Sequence, residues 1–88
     1  MNAPVNPKTV AVSPDALNDA RDNAWHNFGS AAHYLGLAQG FLQANDDAGA
    51  CYALAHAREY WISAVRDFAP CRAAFRARVD NAEGRRDA

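Results

Sequence analysis

The sequence predicts an all-α protein, and three observations carry that expectation. Alanine supplies 21 of the 88 residues, and it is the strongest helix former. Leu, Ile, Val and Phe together supply only 15, and no stretch alternates apolar and polar residues as a half-buried strand does. Two segments, 24–42 and 50–68, repeat apolar residues at alternating spacings of four and three, which places them on one helix face. So low a share of large apolar residues signals disorder when net charge is high, but here the net charge is −1. The length allows one domain, which hides only about 60–65% of the surface of its unfolded chain.

The elements follow in order. Residues 1–12 hold two prolines and no helical period and read as a flexible N-terminal arm. Ser13-Pro14-Asp15 is a helix start: the serine caps free N–H groups, proline suits the first helical position, and aspartate favours the positive end of the dipole. Asn45-Asp46-Asp47 is a polar break rich in capping residues. It divides the chain into an antiparallel helical hairpin of about 14–44 and 47–69. Pro70 disfavours helical geometry at Ala69 and ends or kinks the second helix. A short third helix then spans 70–83, with Gly84 as its C-terminal cap. Residues 13–84 thus form a single helical domain, and 85–88 form a polar tail.

The repeat has internal structure. Ala24, Phe28, Ala31, Leu35, Ala38 and Leu42 alternate small and large, and so do Ala50, Leu54, Ala57, Trp61, Ala64 and Phe68. An antiparallel pairing centred on Asp46 sets Phe28 opposite Ala64, Ala31 opposite Trp61, Leu35 opposite Ala57 and Ala38 opposite Leu54. Every large side chain then nests against an alanine, which is what close helix packing needs.

The first helix also has an unusual far side. Residues 23–45 contain no Asp, Glu, Lys or Arg, whereas a helix packed on one side only normally carries charge on the other. This helix instead bears Trp25, Tyr34, Leu37 and Phe41 on its flanks and a ridge of small residues, Gly29, Ala32, Gly36 and Gly40. Each helical glycine costs about 0.5–1 kcal/mol against alanine, so the ridge predicts a close-approaching backbone. Two sources can supply it. The third helix folds back through Cys71, Phe75 and Val79, or another chain docks there and completes a four-helix arrangement. These eight residues, with Arg72 and Arg76 on the third helix, form the expected partner-binding surface.

Catalytic and metal signatures are weak. His26 and His33 are seven residues apart, about 10.5 Å along the axis, too far to share an ion. His56 and Glu59 are three apart and can touch one ion, but no closed set of four ligands assembles around them. Cys51 and Cys71 are separated by about 30 Å of helix, beyond disulfide reach. Two free thiols and a reducing, cytoplasmic location are therefore expected. No apolar run reaches the length of a transmembrane span, and no signal-peptide h-region is present near the N-terminus. Phosphate loops, nucleophile elbows and paired carboxylates are missing from the sequence, so neither catalysis nor a bound metal or cofactor is expected.

Eight of the nine basic residues are arginine, and Arg72, Arg76, Arg78, Arg85 and Arg86 fall in the last 17 residues. Asp80, Glu83 and Asp87 offset them to about +2, less than a duplex-binding module usually carries. The expected function is a small non-enzymatic protein-interaction module, acting through a helical surface as an adaptor, inhibitor or regulator of the kind mobile elements carry. A homodimer is one form of that contact. The alternative is a nucleic-acid-binding regulator that uses the Arg-rich C-terminal helix.

Overall fold

The computed structural model describes residues 13–87, and the expected N-terminal arm at 1–12 lies outside them. The architecture is a helical hairpin, α1 (Pro14–Gln43) and α2 (Asp47–Asp87). α1 begins as its sequence predicts. Ser13 is the extended N-cap residue, its Oγ accepts from the Ala16 N–H at 3.1 Å, and Pro14 opens the helix.

The turn closes both helices with three residues. Asn45 adopts the left-handed conformation, φ 55°, which asparagine tolerates better than most residues. Its N–H donates to the Leu42 carbonyl, and the Asp46 N–H donates to the Phe41 carbonyl at 2.8 Å. These two bonds satisfy carbonyls that the end of a helix leaves free. Asp46 then serves α2, its Oδ1 accepting from the Gly49 N–H at 2.9 Å. So short a connection forces antiparallel neighbours.

The expected third helix does not form. α2 runs unbroken for 41 residues with Pro70 inside it, and Gly84 is an interior helical residue, not a cap. Proline removes one backbone hydrogen bond and crowds the preceding turn, at a cost of about 3 kcal/mol. Continuity keeps what a break would lose. Ala50, Ala57, Ala64 and Cys71 are spaced by seven residues and all are buried. Cys71 Sγ donates to the Leu17 carbonyl at 3.4 Å, and Ala74 beyond it is half-buried. The contact line with α1 therefore crosses the proline and proceeds one heptad further. Because Cys71 already lies beside Leu17, near the start of α1, roughly the last three turns of α2 project past α1.

The core is made of small residues. The buried residues are Ala20, Ala24, Ala31 and Ala38 from α1, and Ala50, Ala53, Ala57, Ala64 and Cys71 from α2. All six small positions of the alternating repeat are buried, but the large ones do not interdigitate with them. The Phe28 ring meets the edge of the Trp61 ring, with centroids 5.5 Å apart. Leu35, Leu42, Leu54 and Trp61 remain 50–56% exposed. Alanine from one helix packs on alanine from the other, which favours the short end of the roughly 8–10 Å range of axis separations. Helices that close have no room between them for a leucine, so the large side chains are pushed to the side.

Candidate functional site

With alanine along the contact line, the hairpin has two flanks and two backs. Seven-residue steps return to the same side of a helix packed in this way, so each flank can be traced by sequence position. One flank carries Asn27, Tyr34 and Phe41 from α1 and Gly49, His56, Tyr60 and Asp67 from α2. The other carries Phe28, Leu35 and Leu42 from α1 and Leu54, Trp61, Phe68 and Phe75 from α2, edged by Val65 and Val79.

The first flank is closed by contacts across the hairpin. Asn27 Nδ2 donates to Asp67 Oδ2 at 2.6 Å. The Tyr34 ring stacks on His56 (5.0 Å between centroids, 22° between planes) and on Tyr60 (5.7 Å, 12°). Tyr52 meets the edge of His56 at 4.5 Å. Phe41 lies over Gly49 so closely that a Cβ on the glycine would fall 2.5 Å from Cδ1 of the ring. All seven residues of this flank are half-buried. Beside the stack, Trp25, His26, Gly29, Ser30, His33, Tyr34 and Tyr60 line an open groove of about 420 Å³. The Trp25 and His26 rings pack edge to face at 4.9 Å, and the Ser30 hydroxyl donates to the His26 carbonyl at 3.2 Å.

On the second flank the Phe28 and Trp61 rings meet across the two helices. Its other members are exposed, from Leu42 at the turn to Phe75 and Val79 on the projecting end of α2. No charged residue interrupts the α1 side between Phe28 and Leu42, and Arg21 lies one heptad before Phe28. Arg58 and Arg72 fall on the row of Val65 and Val79, at the edge of the flank.

The residues expected to bind a partner do not form one surface. Gly29, Gly36 and Gly40 line the back of α1, opposite the alanines, and a Cβ added at any of them meets nothing within 4 Å. The backbone they were expected to admit is not supplied by the described residues. Ala32 is also exposed. Tyr34 and Phe41 belong to the closed flank, Leu37 is exposed beside them, and Trp25 stands 71% exposed at the groove. Arg72 and Arg76 line a shallow depression with Val65, Ala69 and Ala73 near the far end of α2, well removed from the α1 set.

Sequence reasoning missed the apolar flank because it assigned those side chains to the seam. The signal was present. Small residues recur every seventh position in both segments, which predicts one alanine line with the large residues displaced to one side. The stack around Tyr34 was also foreshadowed by Tyr52, His56 and Tyr60, spaced at four residues on α2.

Among the described residues no group of three or more His, Cys, Asp or Glu side chains is placed to hold a metal ion. His56, the better of the two suggested ligands, is sandwiched between tyrosine rings. Cys51 is exposed, Cys71 is buried, and both thiols are free. No helix among the described residues is long and apolar enough to cross a membrane. No protein family, curated protein or solved structure was found to match the chain.

Proposed function

We propose that this chain is a non-enzymatic protein-interaction module whose working surface is the flank built on Phe28, Leu35, Leu54, Trp61 and Phe68. One observation carries the reading: the flank with polar and amphipathic side chains is half-buried, whereas the apolar flank is the exposed one. A chain that completed its own fold would bury them the other way round, because covering apolar area stabilises by about 25 cal/mol per Å². Contiguous exposed apolar surface of this kind marks a contact with another macromolecule. The core reinforces the point. No large side chain is fully buried, and an alanine methyl contributes only about 0.8 kcal/mol where a leucine gives roughly 1.5–3. A regulatory, adaptor or inhibitory role in the cytosol is consistent with such a module and with two free thiols.

The nucleic-acid reading has less support. Arg72 and Arg76 border apolar Val65 and Ala69, and Arg76 shares its other side with Phe75, Asp80 and Glu83, so carboxylates break up the basic stripe that phosphate contact needs.

A photo-crosslinking amino acid in place of Leu54 tests the reading in cells. Adducts with a protein chain are expected from position 54 and not from position 59, where exposed Glu59 lies on the back of α2. Equal labelling at both positions, or none at 54, would remove the apolar flank as a binding surface.

A further inference from the structure

We infer that the chain covering the apolar flank is a second copy of this one, and that two hairpins associate through it as a four-helix bundle. This rests on the reading above and names its partner. The first argument is area. Eight exposed apolar side chains run from Leu42 to Val79. At roughly 200 Å² each and about half exposed, they offer on the order of 800 Å². A stable pairwise interface takes about 800 Å² from each side, so the flank is already the size of one half of a dimer.

The second argument is spacing. Large side chains stand seven residues apart along both helices, at 28, 35 and 42 and at 54, 61, 68 and 75. Such a face offers knobs at heptad intervals with gaps between them. A partner that fits must carry the same interval, and a two-fold copy does so by construction. Two antiparallel helices with one open apolar side are also half of the four-helix architecture. The third argument is charge. Arg58 and Arg72 lie at the edge row and Arg21 one heptad before Phe28, leaving a neutral stretch of the flank from Leu42 to Phe28 and from Leu54 to Phe68 that a second copy meets without like-charge repulsion.

The test uses the full chain. Sedimentation equilibrium over a hundredfold range about micromolar concentration is expected to give twice the 9.5 kDa chain mass. The melting midpoint is expected to rise with chain concentration, as association requires. In the Trp25→Phe variant Trp61 is the sole tryptophan, and its emission shifts to the blue on association as its ring leaves water. Leu54→Glu weakens the dimer roughly 30-fold or more, the effect of losing a contact within the interface, whereas His33→Glu, an exposed position on the groove side of α1, leaves it unchanged. Leu54 is half exposed, so the substitution does not enter the alanine core, and circular dichroism at high concentration reports whether the helices persist.

A monomer at every concentration, with a midpoint that does not move, would overturn the second copy as partner. In that case a crosslink from position 54 to a different chain would leave the interaction reading standing. A dimer untouched by Leu54→Glu but broken by His33→Glu or Gly36→Leu would overturn the placement, moving the contact to the glycine back of α1.

Discussion

The two flanks of the hairpin have opposite solutions to the same geometric problem. Both receive side chains that a closely packed alanine seam cannot accommodate. On the Tyr34 flank those side chains reach across to the other helix: Asn27 to Asp67, Tyr34 to His56 and Tyr60, Phe41 to Gly49. Rings and amides have the length and directionality to bridge the shallow cleft, and the flank closes. On the Phe28 flank the Phe28 and Trp61 rings meet, while Leu35, Leu42 and Leu54 have no polar tip and stay 50–56% exposed. The difference teaches that the reach and hydrogen-bonding capacity of side chains, and not their apolar character, decided which flank is covered among the described residues.

The largest expected effect comes from the seam that creates both flanks. Ala31 and Ala57 are each 4% exposed, and Ala31→Leu or Ala57→Leu is expected to destabilise by about 1–3 kcal/mol through overpacking. Thermal denaturation monitored by circular dichroism checks it. A neutral shift for both would mean the helices do not touch along the alanines, and the contrast between flanks would lose its cause.

Next is the tight end of the closed flank. A Cβ at Gly49 would fall 2.5 Å from Phe41 Cδ1 and 2.7 Å from Asp46 Oδ2, so Gly49→Ala is expected to cost about 1–2 kcal/mol by displacing the ring or the capping carboxylate. Most of that loss should vanish when the same change is made in a Phe41→Ala background. A cost that persists there would assign it to the cap instead of the ring, and a double-mutant cycle separates the two.

How far the sequence disclosed this arrangement can be read from particular residues. The Ser13 cap, the Asn45–Asp47 turn and the antiparallel pairing were legible because each depends on local backbone chemistry. The six buried alanines were legible as a face. What was not legible was the choice between alanine meeting leucine and alanine meeting alanine, since spacings of four and three describe both. The helix beyond Pro70 was hidden for another reason: a local rule against proline was outweighed by contacts that Cys71 makes with a residue 54 positions away. The spacing of the α1 glycines predicts a close approach there, but among the described residues Gly49 is where one occurs.

The flanks can also be compared directly. Tyr34→Ala removes two ring stacks and is expected to cost about 1 kcal/mol or more. Leu35→Gln, one residue away on the open flank, is expected to cost less than about 0.5 kcal/mol when both are measured at the lowest concentration at which the chain stays helical. If the cost of Leu35→Gln rises with concentration and that of Tyr34→Ala does not, the open flank is being covered by association. Equal costs at low concentration would erase the distinction between the flanks.

A small effect of opposite sign lies away from both, on the back of α1. Gly29, Gly36 and Gly40 have helical backbone with φ below zero, and a Cβ at each meets open space. Alanine at each position is therefore expected to stabilise by about 0.5–1 kcal/mol, through the lower conformational entropy of the unfolded chain. The sign is the informative part. If the apolar flank is the sole interface, the gain appears at every protein concentration and the dimer is unaffected, because nothing approaches the glycines. If alanine instead lowers the melting midpoint, and does so more steeply as concentration rises, a second chain must press against that ridge in solution. The back of α1 would then join the Phe28 flank as a covered surface, and the closed flank around Tyr34 would be the side left facing water.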